Sequence, residues 1–337
     1  MTHEEIDEIF ARPTPGALEA LKGLEGDVML LGVAGKMGLS TALMLRRAFD
    51  ELGKKNGIYG VSRFSDAATR ERLEGYGVRT IRADLIERDE VEALPECPNV
   101  LFLAGHKFGA GSQPDLSWAM NAVVPAYVAE HYKRSRIVAF STGCVYPFVP
   151  VDSSGSTEED EIGPVGDYAN SCVGRERIFT YFSRKHGTPV ALFRLNYAID
   201  LRYGVLVDIA QKVLAGEPVD VSTGYVNIIW QGDAIARSLQ CFEHAVSPPF
   251  VINVTGPEVL KVRDLAARFG EIFGKTPEIT GTESETAWLS NPAKSIDLFG
   301  PLTVSVDEMI HKVADHLRNG GPVLDKPTHF ESRSGKF

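Results

Sequence analysis

The chain is poor in the residues that would staple or anchor it. Its 337 residues include only four cysteines, Cys97, Cys144, Cys172 and Cys241, scattered and without Cys-x-x-Cys spacing. That argues against a disulfide framework or a zinc site and for reduced thiols in a cytoplasmic protein. No apolar run reaches about 18 residues, so no segment is expected to span a bilayer. The formal net charge is −10, which argues against nucleic acid as the main partner and leaves no polybasic handle for a membrane. The opening MTHEEIDEIFARPTPG is acidic and lacks an apolar h-region, so a signal peptide is not expected. Metal-ligand spacing, internal repeats and low-complexity tracts are missing as well. What is left is an ordinary globular composition, 44% hydrophobic and 24% charged. The length suits one large α/β unit with a smaller appended lobe.

Along the chain, short apolar runs alternate with helical patterns. Val28-Met-Leu-Leu-Gly-Val is apolar on both faces, as buried parallel strands are. Further strands are expected at 57–61, 78–84, 99–105, 135–141 and 189–195. Helices are expected at 40–52, at 116–132 and around Tyr168. This rhythm predicts an α/β fold with a doubly wound parallel sheet, the Rossmann arrangement. Residues 1–26 read as a helical extension and 27–194 as the dinucleotide-binding domain, with 226–257 returning to it. Residues 195–225 and 258–330 read as a smaller α/β substrate-binding lobe, the latter carrying two helices. The end of the chain, from Lys326 through the 331–337 tail, reads as polar and frayed.

The chemistry begins at the first turn. Gly32-Val-Ala-Gly35-Lys36-Met37-Gly38 follows a strand and opens a helix. Glycines there permit a tight turn and let backbone N–H groups approach a pyrophosphate. An acid ending strand two would hold the ribose 2′-OH of NAD, but the chain has Val61-Ser62-Arg63 instead. Arg63 and Ser62 suit a 2′-phosphate, with Lys36 adding charge, so NADP is the expected cofactor and NAD the second choice. The competing reading of Arg63 is a solvated surface arginine. Asp84, before Leu85, reads either as an adenine-contacting acid or as a helix N-cap.

Taken in order, these features and several downstream resemble the extended short-chain dehydrogenase/reductase superfamily, in its NAD(P)-dependent sugar epimerase/dehydratase branch. The resemblance covers about residues 27–320. Beyond the glycine turn it rests on Leu103-Ala104-Gly105, Asn121, Ser141-Thr142-Gly143-Cys144-Val145-Tyr146, Tyr168, Arg194-Leu195-Asn196 and Gln231-Gly232-Asp233. It implies hydride transfer at C4 of a nicotinamide, usually on a sugar carbinol. It implies that Thr142 hydrogen-bonds the reacting oxygen and that Tyr168 exchanges a proton with it. Ala104, Gly105, Lys107, Asn121, Tyr168, Cys172 and Leu195 would border the cofactor. Gly143, Cys144, Asn196, Arg202 and Tyr203 would border a carbohydrate-like substrate. The helices over 116–132 and 166–186 commonly pair across a two-fold in this family, so a homodimer is expected by analogy.

The chain departs from the family at one decisive place. Tyr168-Ala-Asn-Ser-Cys172 stands where the family has Tyr-x-x-x-Lys. A phenol with a pKa near 10 needs a nearby cation to work at neutral pH, and a lysine one helical turn on would supply it. Cys172 cannot. Three readings stay open: another cation replaces the lysine, the protein binds a dinucleotide without turnover, or Cys172 is itself reactive. For the first, Lys107 is preferred, since Gly105-His106-Lys107 resembles an Ala-Gly-x-Lys stretch of UDP-galactose 4-epimerases. Arg175 and His106 are weaker choices. The expected function is an NAD(P)-dependent oxidoreductase or epimerase/dehydratase on a sugar-like hydroxyl or carbonyl. The alternative is a non-catalytic dinucleotide-binding sensor or scaffold.

Overall fold

The structure is a computed structural model that describes residues 1–107 and 112–335. Seven strands form one parallel sheet: β1 (Val28–Leu31), β2 (Ile58–Ser62), β3 (Arg79–Arg82), β4 (Asn99–Phe102), β5 (Arg136–Thr142), β6 (Val190–Leu195) and β7 (Phe250–Val254). Their order across the sheet is β7-β6-β5-β4-β1-β2-β3. This is the doubly wound arrangement expected from the alternating pattern. Parallel neighbours require crossovers, and crossovers put helices on both faces. Successive side chains therefore go to two separate cores. Val28, Leu30, Leu101, Val138 and Phe193 enter one. Met29, Leu31, Phe102, Ile137 and Leu192 enter the other.

The flanking helices are α1 (His3–Phe10), α2 (Pro15–Lys22), α3 (Gly38–Glu51), α4 (Ala67–Gly75), α5 (Arg88–Glu92), α6 (Pro114–Trp118), α7 (Val124–His131) and α8 (Gly166–His186). Toward the C-terminus come α9 (Val205–Ala215), α10 (Gln231–Gln240), α11 (Val262–Phe273), α12 (Ala293–Phe299) and α13 (Val306–Arg318). Helices α4 and α5 carry too few apolar residues to show a periodic stripe. Each buries a single residue, Leu73 and Val91.

Three expectations are corrected. The helix expected over 116–132 is broken by a π-helical segment at Ala119–Val123, which contains Asn121. Residues 258–330 carry three helices rather than two, α12 being only seven residues long. The C-terminal segment does not fray over its described part. Phe330 is 1% exposed and Thr328 2%. Thr328 donates from its backbone N (2.8 Å) and its Oγ1 (2.5 Å) to Asp208 of α9. One buried aromatic and one buried carboxylate hold a segment whose composition is otherwise polar. Residues 336 and 337 lie outside the described residues. Among the described residues no helix is long and apolar enough to cross a membrane, and no three His, Cys, Asp or Glu side chains are placed to hold a metal.

Candidate active site

The strand order reverses between β1 and β4, and at such a point the loops leaving the sheet diverge and leave a crevice. Here the crevice is a cleft of about 880 Å³. Gly32, Gly35, Lys36, Met37 and Gly38 line it from the first turn, and Ala104, Gly105 and Lys107 from the loop after β4. Gly32 has φ 91°, and a Cβ there would stand 2.8 Å from the Ala104 backbone N. Only glycine lets these two loops meet. A Cβ on Gly35 would meet nothing closer than the Gly32 carbonyl at 3.1 Å, so its other side faces open space. Helix α3 has Met37 at its N-cap and no side-chain cap, which leaves its first N–H groups for an anion. The turn fits a dinucleotide pyrophosphate.

Across the cleft stand Thr142 at the end of β5 and Cys144 after it, Tyr168 in the first turn of α8, Leu195 at the end of β6, and Asn196, Arg202 and Tyr203 beyond it. The Tyr168 hydroxyl is hydrogen-bonded to Cys172. Burial pushes this phenol well above its ordinary range, and the Cys172 and Cys144 sulfurs add to the rise. The opposing cation is Arg175, whose charge favours the phenolate. Its guanidinium donates to the Phe140 carbonyl (2.7 Å) and to Asn121 Oδ1 (2.6 Å). Lys107 Nζ lies 6.0 Å from the Tyr168 ring centroid. Two of the three sequence candidates for the missing charge, Arg175 and Lys107, thus stand by the phenol. His106 is turned to Ser117, with Nδ1 3.0 Å from its Oγ.

Cys172 does not line the cleft. It is fully buried among Val145, Tyr146, Ile162 and Val173. Burial pushes its thiol up to about 11, which argues against the reactive-cysteine reading. Burial raises the Cys144 thiol as well. Asn121 also stands behind the cleft. It accepts from the His106 N–H (2.9 Å) and donates to the His106 carbonyl (3.0 Å) and Ser171 Oγ (3.0 Å). It therefore ties the loop carrying Lys107 to Arg175 and α8. A π-bulge that re-aims one such side chain is a common feature of functional sites.

A buried network under Tyr168 escaped the sequence reading. Glu176 accepts from Ser141 Oγ (2.5 Å) and from Arg194 Nε (2.9 Å) and Nη2 (2.7 Å). Arg194 Nη1 donates to the Tyr146 hydroxyl (2.5 Å), which donates to Asn253 Oδ1 (2.9 Å). This fixes α8, and hence Tyr168, against β5, β6 and β7. The sequence signals were the helical spacing of Tyr168, Cys172, Arg175 and Glu176 and the presence of Ser141, Tyr146 and Arg194 in the motifs that carry the resemblance.

At the other end of the cleft the expectations meet a different arrangement. Ser62, Arg63, Asp84 and Leu85 do not border the cavity, and Gly143 packs against Asn196 and Ser290 instead. The Arg63 side chain is 75% exposed and stands 3.9 Å from Asp84. The wall here is Asp66, Ala68, Thr69 and Arg72, joined by His3, Glu4 and Asp7 of α1. Asp7 accepts from Arg72 and from Arg202, each at 2.7 Å. Arg202 also pairs with Asp200 (2.7 Å), so its guanidinium is occupied by carboxylates although it lines the cleft. Asn196 likewise donates to Asn227 Oδ1 (2.8 Å).

The fold resembles known enzymes. UDP-glucose 4-epimerase from Thermotoga maritima is 17% identical, with a TM-score of 0.71 over 87% of this chain and 99% of that one. UDP-glucose 4-epimerase from Thermus thermophilus, solved with NAD, is 20% identical with the same TM-score and coverage. An epimerase from Methanothermobacter thermautotrophicus is 15% identical, with a TM-score of 0.71 over 92% of this chain and 97% of that one. No curated protein sequence matches significantly. Residues 28–204, just over half of the chain, match the profile of the NAD dependent epimerase/dehydratase family. That stretch holds the glycine turn, Thr142 and Tyr168, and it places the chain in the NAD dependent epimerase/dehydratase family of the extended short-chain dehydrogenase/reductase superfamily.

Proposed function

We propose that the protein is an NAD(P)-dependent oxidoreductase or epimerase/dehydratase acting on a hydroxyl or carbonyl of a sugar-like small molecule. The observation that carries this is the convergence of the glycine turn, Thr142 and Tyr168 on one cleft. When bound, the dinucleotide supplies a hydride donor or acceptor at its nicotinamide. The chain's own part is positioning and proton handling. Tyr168 is protonated at neutral pH because its pKa is raised, so it serves as proton donor to a carbonyl oxygen. Thr142 Oγ1 accepts from the Cys144 N–H (3.2 Å), which leaves its own proton for the same oxygen. Arg175 and Lys107 replace the missing lysine by stabilising the phenolate left after proton transfer.

The exposed fork of Arg63 is proposed to take a 2′-phosphate, which makes NADP the favoured form over NAD. Trp118, Val123 and Tyr181 expose 41%, 44% and 60% of their surface on the helices 114–131 and 166–186, and we assign this face to a homodimer. The four buried free thiols suit the reducing cytoplasm. A second reading, binding without turnover, is favoured by one observation: Cys172 stands where the family has its lysine.

The test is to denature the purified protein, identify any released dinucleotide, and titrate stripped protein with NADPH and NADH. Tight retention supports an epimerase or dehydratase, and exchange with NADPH preference supports a reductase. Failure to bind either removes the proposal.

A further inference from the structure

The protein carries a net charge of −10, yet its cleft is cationic. Lys36, Arg72, Lys107, Arg175, Arg202 and Lys326 line it, against the carboxylates Glu4, Asp7 and Asp66. Asp7 is committed to Arg72 and Arg202, and Asp66 caps α4 through the N–H groups of Ala68 and Thr69. The remaining basic groups of the cleft are Lys36, Lys107, Lys326 and Arg175. Lys36 Nζ lies over the Tyr203 ring, 3.0 Å from its centroid. Burial, and after it the charges of Lys107 and Lys326, push its ammonium down to about 6. Lys107 in turn stands beside Tyr168. Lys36 thus interacts with both Lys326 and Lys107, burial lowers Lys107 as well, and Lys107 adjoins the phenol.

Lys326 comes from the C-terminal segment, which crosses the lobe as a strap. Leu324 N donates to the Arg202 carbonyl (3.0 Å) and Thr328 is held by Asp208. Thr223 Oγ1 donates to the Glu331 carbonyl (3.2 Å). Arg333 donates to Thr286 O and Oγ1, both at 2.6 Å. Gly335 then packs so closely on Gly166, where α8 begins, that a Cβ on Gly166 would stand 2.6 Å from its carbonyl. Tyr197 adds an independent sign. It lines the cleft with φ 38°, and its buried hydroxyl finds no hydrogen-bond partner among the described residues. Strain and an unsatisfied hydroxyl at one residue mark a place where a ligand completes the contacts. Gathering like charges in a low-dielectric cleft is unfavourable until an anion arrives.

We propose that the C-terminal strap is one wall of the substrate site and that the substrate is a small anion, its carboxylate or phosphate held by Lys36 and Lys326 beside Tyr203 and Tyr197. This rests on reading the cleft as a hydride-transfer site and specifies the substrate it takes. The pyrophosphate cradle is separate, because it consists of backbone N–H groups at the start of α3.

The test is calorimetric titration of the dinucleotide-loaded protein with matched pairs: glucuronate against glucose, gluconate against glucitol, and glucose 6-phosphate against glucose. UDP-glucose serves as a further arm. The acidic members are expected to bind about tenfold to a hundredfold more tightly than their neutral partners, as one charge-assisted contact implies. Lys326→Ala, an exposed position, should remove that preference and leave dinucleotide affinity unchanged. Preference for sugar acids alone or sugar phosphates alone would identify the anion. Equal affinity for acidic and neutral members, no binding of either, or UDP-glucose binding that Lys326→Ala does not weaken, would each overturn the proposal. Because the readout is binding rather than turnover, an inactive Tyr168→Phe protein that keeps the preference would separate the two claims.

Discussion

Restoring the missing lysine is expected to damage this protein rather than improve it. Cys172 is 0% exposed and packed against Val145 and Tyr146. Cys172→Lys adds three heavy atoms to a filled site, which costs about 1–3 kcal/mol in overpacking. It also places an ammonium near Arg175, whose charge already acts on the Cys172 thiol. An unpaired buried charge costs about 3–5 kcal/mol unless it is neutralised. The sum is about 4–8 kcal/mol, and partial neutralisation of the new amine brings it toward the lower end. At about 2 °C per kcal/mol for a chain of this size, the melting temperature should fall by about 8–16 °C. Thermal unfolding of the purified variant, followed by circular dichroism with and without dinucleotide, gives the number. A variant as stable as the parent that also turned over faster would refute the reasoning. It would mean that the pocket accepts a lysine and that Arg175 and Lys107 do not substitute for one.

Other consequences are measurable. Glu176→Gln breaks a buried ion pair whose partners are 7% and 6% exposed. It should cost about 3–5 kcal/mol in chemical denaturation, whereas removing a solvent-screened surface pair such as Arg88–Glu92 should barely register. Lys36 has a folded pKa of about 6 against 10.5 for an ordinary lysine, so between those values the unfolded chain binds the extra proton. Its contribution is therefore greatest above pH 10.5 and is lost as pH falls toward 6. Lys36→Met should flatten the stability profile across that window. Anion binding beside Lys36 at pH 8 should take up close to one proton, seen as a buffer-dependent calorimetric enthalpy that Lys36→Met abolishes. Arg63→Ala should weaken NADPH about tenfold or more and leave NADH unchanged. Equal loss for both would return Arg63 to the solvated surface.

The sheet and its turn were legible because they depend on patterns short enough to read locally. Apolar runs such as Val28–Leu31 must be buried on both faces, and a glycine turn between strand and helix has one familiar use. Helix α8 was legible in full because Gly166 and Gly187 bound it. The cation that serves Tyr168 was harder. Lys107 and Arg175 are both near in sequence to known site elements, and which of them acts on the phenol depends on the bonds Asn121 makes across 54 residues. Asp7 and Lys326 were illegible for the same reason. They lie near opposite ends of the chain, in segments that read as a helical preface and a frayed tail, and only tertiary packing brings them to the cleft. At the second strand, Val61-Ser62-Arg63 sits where a cofactor ribose is expected; the positive φ of Phe64, 48°, bends the chain after it, so Asp66, Ala68 and Thr69 rather than Arg63 border the cleft itself.

The most direct measurement is the rate of hydride transfer in Tyr168→Phe, followed by nicotinamide absorbance with a substrate that the parent protein turns over, alongside dinucleotide affinity. Losing the proton donor should lower kcat by about 10²–10⁴-fold while the dissociation constant for the dinucleotide changes less than about twofold, since the pyrophosphate cradle consists of backbone N–H groups that the substitution leaves in place. An unchanged kcat would contradict the account, because the one side chain that joins the glycine turn to proton chemistry would then play no part in it.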